Sequence, residues 1–311
     1  SSVVALLALL GVIEVWHLAV AAFINGLGWA ADNPVRRAMI GAVVGPARMG
    51  SAMSIDVGTS NASRMLGPTL GGVLLALLGL DGTFVLATLL YLPALIAALR
   101  LPRQPHRVSS GAGSVLARIA EGLAAVRADQ RLSGTLMITL IYNLFGWPFT
   151  SMIPVIGKDQ LALGPEGVGI LASMDGVGAL LGAVLITLFV GPALYRRCYL
   201  GGVTLYLVMV IAFALIPLPW LAGLALILVG VGGAGFGIMQ PTLIYLATPI
   251  ELRSRVLGLL SVCIGMGPIG FVGLGVAAEF LGAPIATAAM ALCGLVSLLL
   301  TRRYWRHISS T

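Results

Sequence analysis

Only 11 of the 311 residues are Asp or Glu and 18 are Lys or Arg, and a few of these charges interrupt stretches that are otherwise apolar. Arg64 stands near the middle of the run 50–78, and Asp32 lies at a similar depth in the run 17–42. A charge at the centre of a bilayer costs at least about 2.5–3.5 kcal/mol and requires a partner or a water-filled cavity. Asp32 and Arg64 are therefore expected to pair or to face a common cavity. There they would handle a proton or a charged substrate; the alternative is an ion pair that only fixes helix packing. Asp175, in Met174-Asp175-Gly176, has no basic residue near it in sequence. It is a candidate to take up and release a proton, or else a hydrated position facing a cavity or loop. Asp56 lies nearer the end of its run, at the level of Arg36 and Arg37. That position suits an ion pair at a gate, with proton carriage as the alternative. Glu14 and Glu279 lie near run ends and are expected to be solvated.

Asn25, Asn61, Tyr142, Asn143, Trp147 and Gln240 are polar or amphipathic residues inside apolar runs. They could orient a substrate against an apolar lining, or simply form hydrogen bonds between helices. Other chemistry finds little support. Gly265-Met266-Gly267-Pro268-Ile269-Gly270 satisfies G-x-G-x-x-G, but the dinucleotide reading needs a preceding strand and a downstream acid, and neither is present. His17, His106 and His307 are far apart and offer neither a metal pair nor a triad. Cys198, Cys263 and Cys293 show no CxxC spacing and are expected to be small buried residues. No enzyme activity, metal or cofactor is expected.

The elements that must position these residues are long apolar segments. The chain is 59% hydrophobic and 9% charged, whereas a soluble domain carries about 25% charged residues. Lipid is the solvent that such a composition fits. The apolar runs fall near 2–13, 17–42, 50–78, 83–100, 132–157, 167–190, 196–216, 219–246, 254–281 and 283–302. All but the first are close to the ~20 residues that a crossing needs. The first is read as the remainder of a helix that continues upstream of Ser1.

Ten crossings make successive loops alternate between the two sides. One set of loops holds Arg36, Arg37 and Arg48, then the six arginines from Arg100 to Arg131, then Arg196 and Arg197, Arg253 and Arg255, and Arg302, Arg303 and Arg306. The opposite loops hold only Lys158. By the positive-inside rule the first set is cytoplasmic. The net charge of +7 is thus a topology signal, and no nucleic acid is expected as a partner.

The connection 101–131 opens with prolines and a Ser/Gly stretch. It continues into an amphipathic helix with Val115, Ile119, Leu123 and Val126 at helical spacing. It divides the chain into residues 1–100, the remainder of an N-terminal bundle with four spans, and residues 132–306, a C-terminal six-helix bundle. The parts echo each other. Asn33-Pro34, a basic loop and Gly67-Pro68 in the first correspond to Gln240-Pro241, Arg253 with Arg255, and Gly267-Pro268 in the second. This is the pattern of a parallel repeat.

The segment 54–72, SIDVGTSNASRMLGPTLGG, carries the most specific signal. Its small residues would let a neighbouring backbone approach, and Pro68 can kink the helix. The segment resembles the antiporter motif of the major facilitator superfamily, G-x8-G-x3-G-P-x2-G-G. Here it reads Ser54, Ser63, Gly67, Pro68, Gly71 and Gly72, with serine at the first two glycine positions. Asn61-x-x-Arg64-x-x-Gly67-Pro68 also looks like the branch of siderophore (enterobactin) exporters and macrolide efflux proteins. The resemblance implies twelve helices, of which the third to twelfth are present. The basic loop between the second and third would lie upstream, and its second-half counterpart is reduced to Gly191–Arg197.

The resemblance implies an all-α membrane fold of two pseudo-symmetric helical halves that works by alternating access. The expected function is secondary active export of a drug- or siderophore-like small molecule, coupled to protons. A nutrient importer of the same fold and a non-transporting membrane scaffold are the alternatives. Asp32, Asn61, Arg64, Asn143, Asp175 and Gln240 would lie on the substrate or proton pathway. Arg36, Arg37, Asp56, Arg196 and Arg197 would form a cytoplasmic gate. The protein is expected to be a monomer in the lipid bilayer of a bacterial plasma (inner) membrane, with linker and C-terminus cytoplasmic.

Overall fold

The computed structural model of the chain describes residues 2–9, 49–100, 129–248 and 252–302, with isolated positions between 14 and 24 and between 123 and 127. Every regular element among the described residues is helical. Seven of these helices are long and apolar enough to cross a membrane. The runs 17–42 and 2–13 lie largely and partly outside the described residues, respectively. The chain divides into two compact units, Ser1–Ser110 and Gly111–Thr311.

The first unit contains α1 (Ser2–Leu9) and α2 (Met49–Leu99). α1 lies against α2 with Val4 buried. The runs 50–78 and 83–100, read from sequence as separate spans, form one helical stretch interrupted only at Gly79. There the backbone turns to φ 67°, ψ −173°, a conformation open essentially to glycine alone. Pro68 and Pro93 lie inside the helix, and Leu70, Leu77, Leu90 and Leu99 are exposed.

In the second unit the first span is not a plain α-helix. Asp129 caps α3 (Gln130–Ile141) by accepting a hydrogen bond from the Arg131 amide at 2.7 Å. A π-helical turn, Tyr142–Gly146, and a 3-10 turn, Trp147–Met152, follow, and α4 (Ile153–Asp159) completes the crossing. Then come α5 (Pro165–Phe189), α6 (Tyr195–Leu215) and α7 (Pro219–Ala247). Next are α8 (Arg253–Ile264), α9 (Gly267–Leu281) and α10 (Ala283–Leu300). Proline within the first two positions starts α4, α5, α7, α9 and α10, where its missing N–H costs nothing. The run 254–281, expected as one helix with Gly267-Pro268 midway, is broken at Gly265–Met266, and the Gly-Pro pair opens α9.

α7 is the centre of this unit, held between α5 and α6. Tyr199, Val203, Tyr206, Leu207, Val210 and Phe213 of α6 are all buried, at the spacing of a single helix face. Lipid provides no hydrophobic drive between helices, so close approach through small residues must supply the packing. A Cβ at Gly178 of α5 would overlap the Ile227 carbonyl of α7, and one at Gly230 of α7 would overlap the Asp175 carbonyl of α5. On the opposite side Gly202 of α6 meets Gly232 and Gly235 of α7. The cysteines, expected to be buried, are less covered: Cys198 and Cys263 sit partly covered at the margins of the cores and Cys293 is exposed.

Candidate functional site

Thr135, Thr139 and Asn143 recur every fourth residue, which stacks them on one face of α3 and its π-helical extension. All three are buried. A hydroxyl buried without a partner would be expensive, and each of these groups has one. Thr139 Oγ1 donates to the Thr135 carbonyl at 2.8 Å, and Asn143 Nδ2 donates to the Thr139 carbonyl at 2.9 Å. Two other helices reach this row. From α7, Gln240 Nε2 donates to Thr139 Oγ1 at 3.0 Å. From α6, the Tyr199 hydroxyl lies 3.1 Å from Thr139 Oγ1 and donates to the Thr135 carbonyl at 3.1 Å. Thr139, wholly buried, is the hub that joins α3, α6 and α7.

An aromatic wall adjoins this row. Tyr142 stacks on Phe236 with ring centroids 3.7 Å apart and an interplanar angle of 11°. Phe236 stacks in turn with Tyr199 at 5.8 Å, and Tyr206 lies 4.6 Å from Tyr142. Where the span leaves α-geometry, α9 closes against it. A Cβ at Gly267 would come within 3.2 Å of the Trp147 ring, and one at Gly270 would overlap the Leu144 carbonyl. The G-x-G-x-x-G of residues 265–270 is therefore a packing surface for the irregular turns, which often mark functional positions.

The sequence-derived candidates distribute as follows. Asn143 and Gln240 are brought together through Thr139. Gln240 makes an interhelical hydrogen bond, whereas Asn143 bonds back to its own helix. Asp175 is buried at 7% exposure on α5, with its carbonyl against Gly230 of α7. Asp56 is buried on α2. Glu14 is exposed and accepts a hydrogen bond from Trp16 Nε1 at 2.7 Å. Ser54, Asn61, Ser63, Arg64, Gly67, Pro68, Gly71 and Gly72 share α2. A Cβ at Gly67 or Gly71 would meet nothing within 4 Å, so their small surface is uncovered among the described residues. Asp32, Arg36 and Arg37 lie outside the described residues, as do Asn25 and residues 101–122 of the linker.

Arg196 opens α6 beside Arg131 and Asp129, within electrostatic reach of both. A core of Val126, Leu132, Leu136, Ile244, Val256 and Leu260 brings α8, with Arg255, to the same end of this unit. Arg197 is exposed next to Arg196. Lys158 ends α4, a full span away from Arg131. Thr135, Thr139 and Tyr199 were not picked out from sequence. The four-residue spacing from Thr135 to Asn143 was the available signal.

Comparison with known proteins agrees with this architecture. The family model of the Major Facilitator Superfamily matches residues 1–270. The chain is 22% identical over 190 residues to macrolide efflux protein A of Streptococcus pyogenes, covering 60% of this chain and 47% of that protein. It is 23% identical over 190 residues to macrolide efflux protein A of Enterococcus faecalis, covering 60% of this chain and 59% of that protein. To the MFS-type transporter YfiS of Bacillus subtilis it is 23% identical over 311 residues, 92% of this chain and 70% of that protein. The chain thus spans roughly half the length of the two efflux proteins it matches. With seven membrane-length apolar helices among its described residues and a family match over most of its length, the chain is a multi-pass membrane protein that belongs to the major facilitator superfamily.

Proposed function

We propose that this chain exports a small, drug- or siderophore-like molecule by alternating access, driven by proton antiport. The observation that carries the direction is the match to two macrolide efflux proteins, and the antiporter-like segment 54–72 supports it. The chain then consists of four spans within residues 1–100, a cytoplasmic linker at 101–131 and a six-helix bundle at 132–306. Its linker and C-terminus face the cytoplasm of a bacterial cell, since the arginines that gather with Arg131 and Arg196 mark that side.

In this reading Asp32, Arg64 and Asp175 move protons or meet charged substrate, because each is a charge placed where lipid penalises it. Asn61, Asn143 and Gln240 lie along the pathway, and the aromatic wall of Tyr142, Phe236 and Tyr199 gives an apolar body a surface to stack on. Arg36, Arg37, Asp56, Arg196 and Arg197 form the cytoplasmic gate. The protein works as a monomer.

The test is accumulation of a labelled macrolide and a labelled catecholate siderophore in cells that lack their own pumps. Expressing cells should hold less of at least one compound, and a protonophore should erase the difference. Greater accumulation in expressing cells would instead indicate an importer, and equal accumulation of both compounds would favour a scaffold.

A further inference from the structure

The second unit contains a cavity of about 550 Å³ well removed from the Thr139 row, some nine residues further along the same span. Met152, Val155 and Ile156 line it from one side, and Ala278, Ala283 and Pro284, at the junction of α9 and α10, line it from the other. The volume falls within the ~300–1,000 Å³ range of small-molecule sites.

Two polar side chains complete the lining, Asp159 and Gln160. Asp159 is exposed and its side chain enters no hydrogen bond or ion pair among the described residues. Gln160 is anchored by its amide nitrogen, which donates to the Ile216 carbonyl at 3.2 Å. That anchor leaves Gln160 Oε1 buried with no hydrogen-bond donor among the described residues. A buried acceptor without a donor costs about 1–3 kcal/mol and calls for a partner. The polar equipment of the cavity is thus the exposed carboxylate of Asp159 and the side chain of Gln160, whose oxygen is buried, on an otherwise apolar lining. Lys158, the neighbouring cation, is not part of the lining. Chemistry complementary to this set is a cation that carries N–H groups on an apolar body.

We propose that this cavity binds a protonated lipophilic amine as a second small-molecule site. The ammonium pairs with the exposed carboxylate of Asp159. The hydrocarbon lies against Met152, Val155 and Ile156. A two-chain phospholipid would leave most of its bulk outside a cavity of this size, so the site is assigned to a small amine. The proposal is independent of the direction of transport.

Titration calorimetry of the full chain in detergent, with octylammonium, octyltrimethylammonium and octanol, tests it. Octylammonium should bind at least about tenfold more tightly than octanol, with octyltrimethylammonium between them. Asp159→Asn should erase the advantage of octylammonium, Asp159→Glu should keep it, and Ala283→Trp, which fills the cavity, should abolish binding. Thermal unfolding of each variant checks that it is folded. Equal binding of octylammonium and octanol, or unchanged binding by Asp159→Asn, would overturn the proposal. So would displacement of octylammonium by phosphatidylethanolamine in lipid nanodiscs, which would assign the site to lipid.

Discussion

The phenol of Tyr199 and the hydroxyl of Thr139 meet at 3.1 Å inside the second unit, although 60 residues separate them in sequence. Their contributions are unequal. If Tyr199 becomes Phe, Thr139 Oγ1 still accepts from Gln240 and the Thr135 carbonyl still accepts from Thr139. The loss should be close to the ~0.6 kcal/mol average of hydrogen bonds within membranes. Thr139→Val removes the hub and strands the buried Gln240 amide, which should cost about 1–3 kcal/mol. Thermal unfolding in detergent should therefore show Thr139→Val well below Tyr199→Phe. The reverse order would mean that Thr139 is not the hub.

Glycines of the two units should respond in opposite ways. Ala at Gly178 or Gly230 would force a methyl into the backbone of the facing helix, a clash worth about 1–3 kcal/mol or more. Ala at Gly67 or Gly71 meets nothing within 4 Å among the described residues and should leave stability unchanged or raise it by up to ~1 kcal/mol through helix propensity. If segment 54–72 serves transport, Gly67→Ala should still lower flux. Expression, melting temperature and flux measured on the same four variants separate packing from function.

Arg64→Ala should abolish export while leaving membrane insertion intact. Removing a charge from mid-span makes insertion easier, by up to about 3 kcal/mol on insertion scales. Fractionation of membranes together with the accumulation assay provides both readouts. Unimpaired export by this variant would remove Arg64 from the mechanism.

Asp175→Asn keeps the shape of a buried side chain but cannot carry a proton. Proton-driven flux in vesicles should be lost, while exchange of labelled for unlabelled substrate, which needs no net proton movement, should persist. Equal loss of both would reassign Asp175 to packing between α5 and α7.

Much of this architecture could be read from residue patterns because lipid leaves few solutions. The alternation of arginines groups Arg131 with Arg196, and the two stand together at one end of their unit. Gln240 and Asn143 were legible as polar residues in apolar runs. Their meeting at Thr139 was not, because a threonine that bonds its own i−4 carbonyl looks inert in sequence. Tyr199 was hidden for the opposite reason, since an aromatic ring in an apolar run reads as packing. The change from α to π and 3-10 geometry at 142–152 includes Gly146 and Pro148, which weaken an α-helix locally, whereas its close packing against Gly267 and Gly270 joins residues far apart in sequence and is not reported by local pattern.

Gly79 has a consequence for the whole chain. An unbroken helix from Met49 to Leu99 would be a rod of roughly 77 Å, more than twice the ~30 Å of hydrocarbon in a bilayer. The interruption divides it into stretches of roughly 45 Å and 30 Å, each suited to a single passage with some tilt. A side chain at this position would resist the backbone conformation by about 1–2 kcal/mol and favour the rod. In the proposed arrangement of four spans within residues 1–100, this one missing Cβ separates two of the passages, and the register of every later crossing follows from it.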